Sequence, residues 1–241
     1  MAEDDRLGRA LAFAGPASPA DPGEESVGAE TLLTRLARAR SALGRERAEA
    51  PGLVDLLLSE PAPGRRELAE TDPRFHTWGV CELLLDRALA AEDTDPGTSG
   101  SLADLTLATA EHLDPRHHAA PVVEDLKARG WACLGRALLA QSDLDAAGKA
   151  LQSAASCLAQ GTGDLLVEAR LLDFEAAVRE REGRPGEAAA LLKQAASRYR
   201  EIGDTLLFAR AREKREQILQ QASGRGAARP APGSDPAERQ S

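Results

Sequence analysis

The chain predicts an all-α fold built from stacked helical hairpins, and three observations carry that prediction. Alanine (47) and leucine (35) dominate its 241 residues, while isoleucine and valine together total 9 and aromatics are 3%. Ala and Leu head the helix scale, whereas sandwiches and barrels need the β-branched and aromatic residues that are scarce here. Apolar residues recur at helical spacing between breaks rich in Gly, Pro and Asp. The second half of the chain also returns to itself at an offset of 40–41 residues.

The remaining composition narrows the functional class. A net charge of −9 argues against a direct nucleic-acid partner. Three cysteines make no disulfide framework. No run approaches the ~20 apolar residues of a membrane helix. The start, Met1-Ala2-Glu3-Asp4-Asp5, is acidic where a secretory leader is basic. Together these predict a cytoplasmic protein without a membrane segment. Asparagine is absent and arginine (26) outnumbers lysine (4), a skew that a GC-rich bacterial genome would produce.

Along the chain, residues 1–24 hold Gly15-Pro16, Pro19 and Pro22-Gly23 without sustained period and read as a disordered acidic segment. Seven acids against two arginines over residues 1–30 put −5 of the net charge there. Residues 25–62 read as a helical extension. Within it Leu32, Leu36, Ala39 and Leu43 form one stripe at 4, 3, 4 spacing, and Pro51-Gly52 should stop the helix. A short apolar stretch follows at 53–58, before breaks at Pro61 and Pro63-Gly64. Helices are then expected at 65–71, 74–92, 101–113, 119–140, 143–160, 164–182, 185–202 and 204–222. Their breaks are Asp95-Pro96-Gly97, Asp114-Pro115, Gly161-Thr162-Gly163, Gly183-Arg184-Pro185-Gly186 and Gly203-Asp204. Residues 223–241 are rich in Gly and Pro and read as a disordered tail.

The repeat has two landmarks. Gly163-Asp164-Leu165-Leu166-Val167-Glu168-Ala169-Arg170 returns as Gly203-Asp204-Thr205-Leu206-Leu207-Phe208-Ala209-Arg210. Ala147-x3-Leu151-x2-Ala154 returns as Ala188-x3-Leu192-x2-Ala195, with Ala103-x3-Leu107-x2-Ala110 as an earlier copy. Trp131-x2-Leu134-Gly135-x2-Leu138 lies on the first helix of such a unit, where the small Gly135 should let the second helix approach closely.

Trp131 to Ala154 resembles the tetratricopeptide repeat, whose pattern is W-x2-L-G-x2-Y followed by A-x3-F-x2-A. Trp78-x2-Cys81-Glu82-x2-Leu85 is a degraded copy, and a third has Leu172, Glu175 and Ala176 in the Trp, Leu and Gly slots. The likeness covers roughly residues 65–222, and its period of 40–41 departs from the family's 34. The organisation is similar to that of bacterial tetratricopeptide-like proteins, some of which accompany transcriptional regulators. The resemblance implies a short right-handed solenoid over residues 63–222, made of three hairpins and a capping helix.

His112, His117 and His118 flank Asp114-Pro115 beside Glu111, but the spacing matches no ligand motif, and the turn reads as a solvated loop. Cys81, Cys133 and Cys157 sit among Leu and Ala with no Cys-x-x-Cys, as buried structural thiols do. No phosphate-binding loop, dinucleotide fingerprint or nucleophile elbow is present. The reading is therefore a non-catalytic protein without a cofactor.

The remaining feature is a stripe of arginines. Two residues before the Trp slot stand His76, Arg129, Arg170 and Arg210, a position that faces the groove in the family's geometry. Arg87, Arg136 and Arg181 lie further along the same helices. The guanidinium fork suits carboxylates, so the groove should bind an acidic or C-terminal segment of a partner protein. In the competing reading each arginine pairs with a neighbouring unit, with Glu168, Asp173 and Glu213 close in sequence. Chaperone-binding relatives clamp a terminal carboxylate with Lys and Asn, a clamp this chain cannot assemble without asparagine. An adaptor or regulatory scaffold is thus expected. The alternative is a ligand- or peptide-sensing subunit beside a separate DNA-binding or enzymatic partner. The 30–47 helix should cap the stack or bind a partner or a second copy.

Overall fold

The structure of the chain, a computed structural model, describes residues 22–227 and their side chains over 31–223. It is all-helical. The described residues form α1 (Pro22–Ser59), α2 (Ala62–Thr71), α3 (Trp78–Ala91), α4 (Pro96–Ala110), α5 (Ala120–Ala140), α6 (Leu144–Gln160), α7 (Leu165–Arg181), α8 (Pro185–Glu201) and α9 (Thr205–Ala227). A single 3₁₀ turn, Pro73–Phe75, leads into α3.

Chain neighbours pack as hairpins: α3 with α4, α5 with α6 and α7 with α8, with α9 closing on α8. The hairpins adjoin through α4 on α5 and, less extensively, α6 on α7. Odd-numbered helices also touch one another, α1 on α3 and α5 on α7. The most enclosed helix is α4, where every residue from Leu102 to Ala110 except Asp104 is buried. Its Thr106 and Thr109 hydroxyls donate to the carbonyls of Leu102 and Leu105, 2.9 and 3.0 Å away, so buried polarity is satisfied within the helix. The Cys81 thiol donates to Thr109 Oγ1 at 3.2 Å, and Ser99 meets Cys133 at 3.4 Å, which ties α4 to α3 and α5.

The sequence repeat has a backbone counterpart. Gly163 and Gly203, 40 residues apart, both have φ of 77°, and Gly183 has 76° where Ser142, 41 residues earlier, has 66°. Glycine suits this left-handed turn because no Cβ opposes it. Asp164 and Asp204 follow and accept hydrogen bonds from Leu166 N and Leu207 N at 2.7 and 2.9 Å, starting α7 and α9. Ala147, Ala154, Ala188, Leu192 and Ala195 are all fully buried.

Several boundaries differ from expectation. Helix α1 runs through Pro51 instead of stopping there. Pro51 removes one helical hydrogen bond, but Ala50, Val54 and Leu57 are buried around it and hold both sides in one line. Pro63-Gly64 and Pro96-Gly97 open α2 and α4 rather than separating helices, since proline fits the first turn. Of the two segments expected to be disordered, residues 1–21 and 228–241 lie outside the described residues. Pro22–Glu24 and Ser223–Ala227 are helical.

Gly135 does admit a close approach, chiefly from a different helix than expected. The Phe174 ring of α7 sits over it, and a Cβ there would also come within 3.0 Å of Ala150 Cβ on α6. Gly79 plays the same part against the Glu46 carbonyl of α1, where a Cβ would lie 2.9 Å from Arg47 N. Gly135→Ala is expected to cost ~1–3 kcal/mol of overpacking, offset by about 1 kcal/mol of helix propensity. The net cost of up to about 2 kcal/mol should lower its melting temperature by up to about 8 °C. Gly79→Ala meets backbone on the other side and should fall further. An unchanged melt in both variants would refute the close-packing account.

Candidate interaction surface

Four helices are joined by one line of charges. Arg136 on α5 pairs with Glu92, just past α3, and reaches Asp173 on α7 at 3.8 Å. Lys214 on α9 completes the line at 3.3 Å from Asp173. These partly exposed pairs contribute ~0–1 kcal/mol each, so they set register more than stability. Asp173 and Lys214 are 41 residues apart, one repeat period, a signal that sequence reading missed.

The structure separates the sequence-predicted site residues. Arg136 is engaged in that line, and Arg87 pairs with Asp55 of α1 at 3.0 Å. His76 is also occupied, with Nε2 3.0 Å from the Ala69 carbonyl and its ring stacked on His112 at 4.6 Å. Arg181 is exposed in the last turn of α7, ~16 Å along the helix from Arg170. Arg210 is exposed on α9. Neither has an ion pair among the described residues.

Arg129 and Arg170 form the central pair. Both are half-buried, on the adjacent helices α5 and α7. Burial raises the Cys133 thiol pKa, and the Ser99 hydrogen bond and the charges of Arg170 and Arg129 oppose it. Arg170 likewise acts on Tyr199 of α8, whose phenol is pushed well up by burial. Arg170 has no ion pair among the described residues. Of the acids expected to neutralise the stripe, Asp173 does reach Arg136, whereas Glu168 pairs with Arg198 at 3.1 Å and Glu213 accepts from Gln217 at 3.3 Å.

Other chemistry is sparse. Burial pushes the Cys81 thiol up to about 12, and burial with the Glu124 carboxylate does the same to Cys157, the opposite of an activated nucleophile. The histidines meet ring partners or acids, with His118 stacked on Trp78 at 5.7 Å and His117 3.3 Å from Asp114. No group of three or more His, Cys, Asp or Glu among the described residues could hold a metal. An open cleft of about 290 Å³ lies between α6 and α7, floored by Leu151, Leu171 and Val178 and rimmed by Glu175 and Arg179. It does not include Arg129 or Arg170. Among the described residues no helix is long and apolar enough to cross a membrane.

The His118 environment makes a pH prediction. Its pKa is lowered by burial, against a smaller opposing pull from Glu46. The unfolded chain therefore takes up this proton first as pH falls, so stability is complete above about pH 6.5 and declines below it. The melting temperature should drop on acidification from about pH 7 to 5, and less so in His118→Phe, which keeps a ring on Trp78. Superimposable profiles for the two proteins would exclude this cause.

No protein-family model matches the chain, and no curated protein or solved structure matches it either.

Proposed function

We propose that the chain is a non-catalytic interaction module, resembling the tetratricopeptide repeat, that binds an acidic segment of a partner protein. The binding face is formed by the odd-numbered helices and centres on Arg129 and Arg170, with Arg210 beyond them. Hairpins recurring at a near-constant period support the solenoid reading, because stacked units build one extended surface. The carrying observation is the pair itself: two half-buried cations at repeat-equivalent positions act on one buried thiol from adjacent helices. Arg170 is half-buried and has no ion pair among the described residues. A carboxylate brought to this face would accept the fork of its guanidinium.

The sensing alternative is less favoured. The cleft between α6 and α7 is at the small end of ligand sites and lies apart from these arginines. Arg136 and His76 have structural partners and are not part of the proposed contact set. Arg181, at the far end of α7, is not either.

The test is affinity capture from host lysate with wild type and an Arg129→Glu/Arg170→Glu/Arg210→Glu variant of unchanged circular dichroism. Eluates are read by mass spectrometry, and captured partners are checked against synthetic acidic peptides from their sequences. Wild type should retain a partner whose acidic peptide binds directly and lose at least about tenfold in affinity on charge reversal. Equal retention by both proteins would sink the reading.

A further inference from the structure

We infer that residues 31–45 of α1 are a second docking site, built for an acidic amphipathic helix of a partner protein. Leu32, Leu36, Ala39 and Leu43 belong to a seam that continues at heptad spacing through Ala50 and Leu57. The two halves of that seam differ. Ala50 and Leu57 are 2% and 0% exposed, whereas Leu32 is 44% exposed and the adjoining Leu33 66%. One continuous helix thus carries one apolar seam, buried by the rest of the chain at Ala50 and Leu57, half-buried at Leu36 and Leu43, and exposed at Leu32 and Ala39.

The covered half indicates what suits the open half. There α3 runs parallel to α1: Glu46 meets Trp78, Arg47 meets Glu82 and Asp55 meets Arg87. Glu82 clamps Arg47 at the flank of the seam through two bonds of 2.7 and 2.8 Å. Arg40 stands one heptad before Arg47 on the same flank, and Arg35 stands on the other. Residues 31–45 contain four arginines and no acid, a net charge of +4. A second copy is disfavoured by this pattern. Parallel pairing would set Arg35 against Arg40, and antiparallel pairing would set each against its own kind. An acidic helix with an apolar stripe would cover the leucines and meet Arg35 and Arg40 as Glu82 meets Arg47. This site stands independently of the Arg129–Arg170 face.

The experiment uses the full chain and two synthetic helices of roughly three heptads, Leu at a and d, with Glu or Lys at e and g. Binding is followed by fluorescence anisotropy, and thermal melts confirm that each variant folds, since the substituted side chains lie outside the buried core. Wild type should bind the Glu peptide about tenfold or more tighter than the Lys peptide. Arg35→Glu/Arg40→Glu should reverse that preference, and Leu32→Asp/Leu36→Asp should weaken binding of the Glu peptide about tenfold or more, a larger loss than the Arg129→Glu/Arg170→Glu/Arg210→Glu variant shows. Equal affinity for both peptides, or none for the Glu peptide, would overturn the inference. So would binding lost only in the triple arginine variant, which would place the peptide on the other face. A wild-type dimer that Leu32→Asp/Leu36→Asp dissolves would assign the surface to a second copy. Binding to phosphatidylserine–phosphatidylcholine vesicles, tighter than to the Glu peptide and lost in Leu32→Asp/Leu36→Asp, would assign it to a lipid surface.

Discussion

Two positions where nothing larger than hydrogen fits hold the odd-numbered helices in place. At Gly135 the ring of Phe174 lies directly on the α5 backbone, and at Gly79 the α1 backbone itself is the neighbour. Each contact fixes where one helix crosses the next, because any added carbon on the glycine would push the pair apart. The other interhelical features follow from that approach. The line from Glu92 through Arg136 and Asp173 to Lys214 closes only if α5, α7 and α9 stand at these separations. The joint action of Arg129 and Arg170 on the Cys133 thiol depends on the same spacing.

The even-numbered helices solve a different problem. An alanine-rich helix buries little area per residue, so it must be enclosed on several sides to contribute. Helix α4 is the extreme case, packed by α2, α3 and α5. Its threonines turn their hydroxyls back onto their own helix, and the thiols of Cys81 and Cys133 take weak hydrogen bonds across the two flanking interfaces. These side chains are compatible with a tightly packed interior because none leaves a donor stranded.

Much of the fold was legible in the sequence because its information is local. The 40-residue return of the Gly-Asp turn reports the same left-handed glycine and the same aspartate cap, and the alanine landmark reports buried faces. Pro51 was misread because a proline's local cost was weighed without the burial that surrounds it. Phe174 was missed as the partner of Gly135 because that contact joins different repeats, and periodicity does not name which neighbour fills a slot. The arginine stripe was legible as a set of equivalent positions, but not as a set of equivalent roles. At the equivalent positions His76 is taken up by the Ala69 carbonyl, Arg129 and Arg170 are half-buried and Arg210 is exposed. That difference comes from which neighbouring helices cover each position, which periodicity does not name.

The continuity of α1 through Pro51 has a mechanical consequence. The helix is gripped near Glu46, whose carboxylate accepts from Trp78 N at 2.8 Å, and the stretch before that grip extends about 36 Å at 1.5 Å per residue. Such an arm amplifies angle into distance: a rotation of about 5° at the Gly79 contact moves its tip by about 3 Å, while the core shifts by a fraction of that. The same lever works in reverse. A load applied at the tip concentrates its torque on the first turn of α3, where Thr77, Trp78 and Gly79 join the extension to the stack.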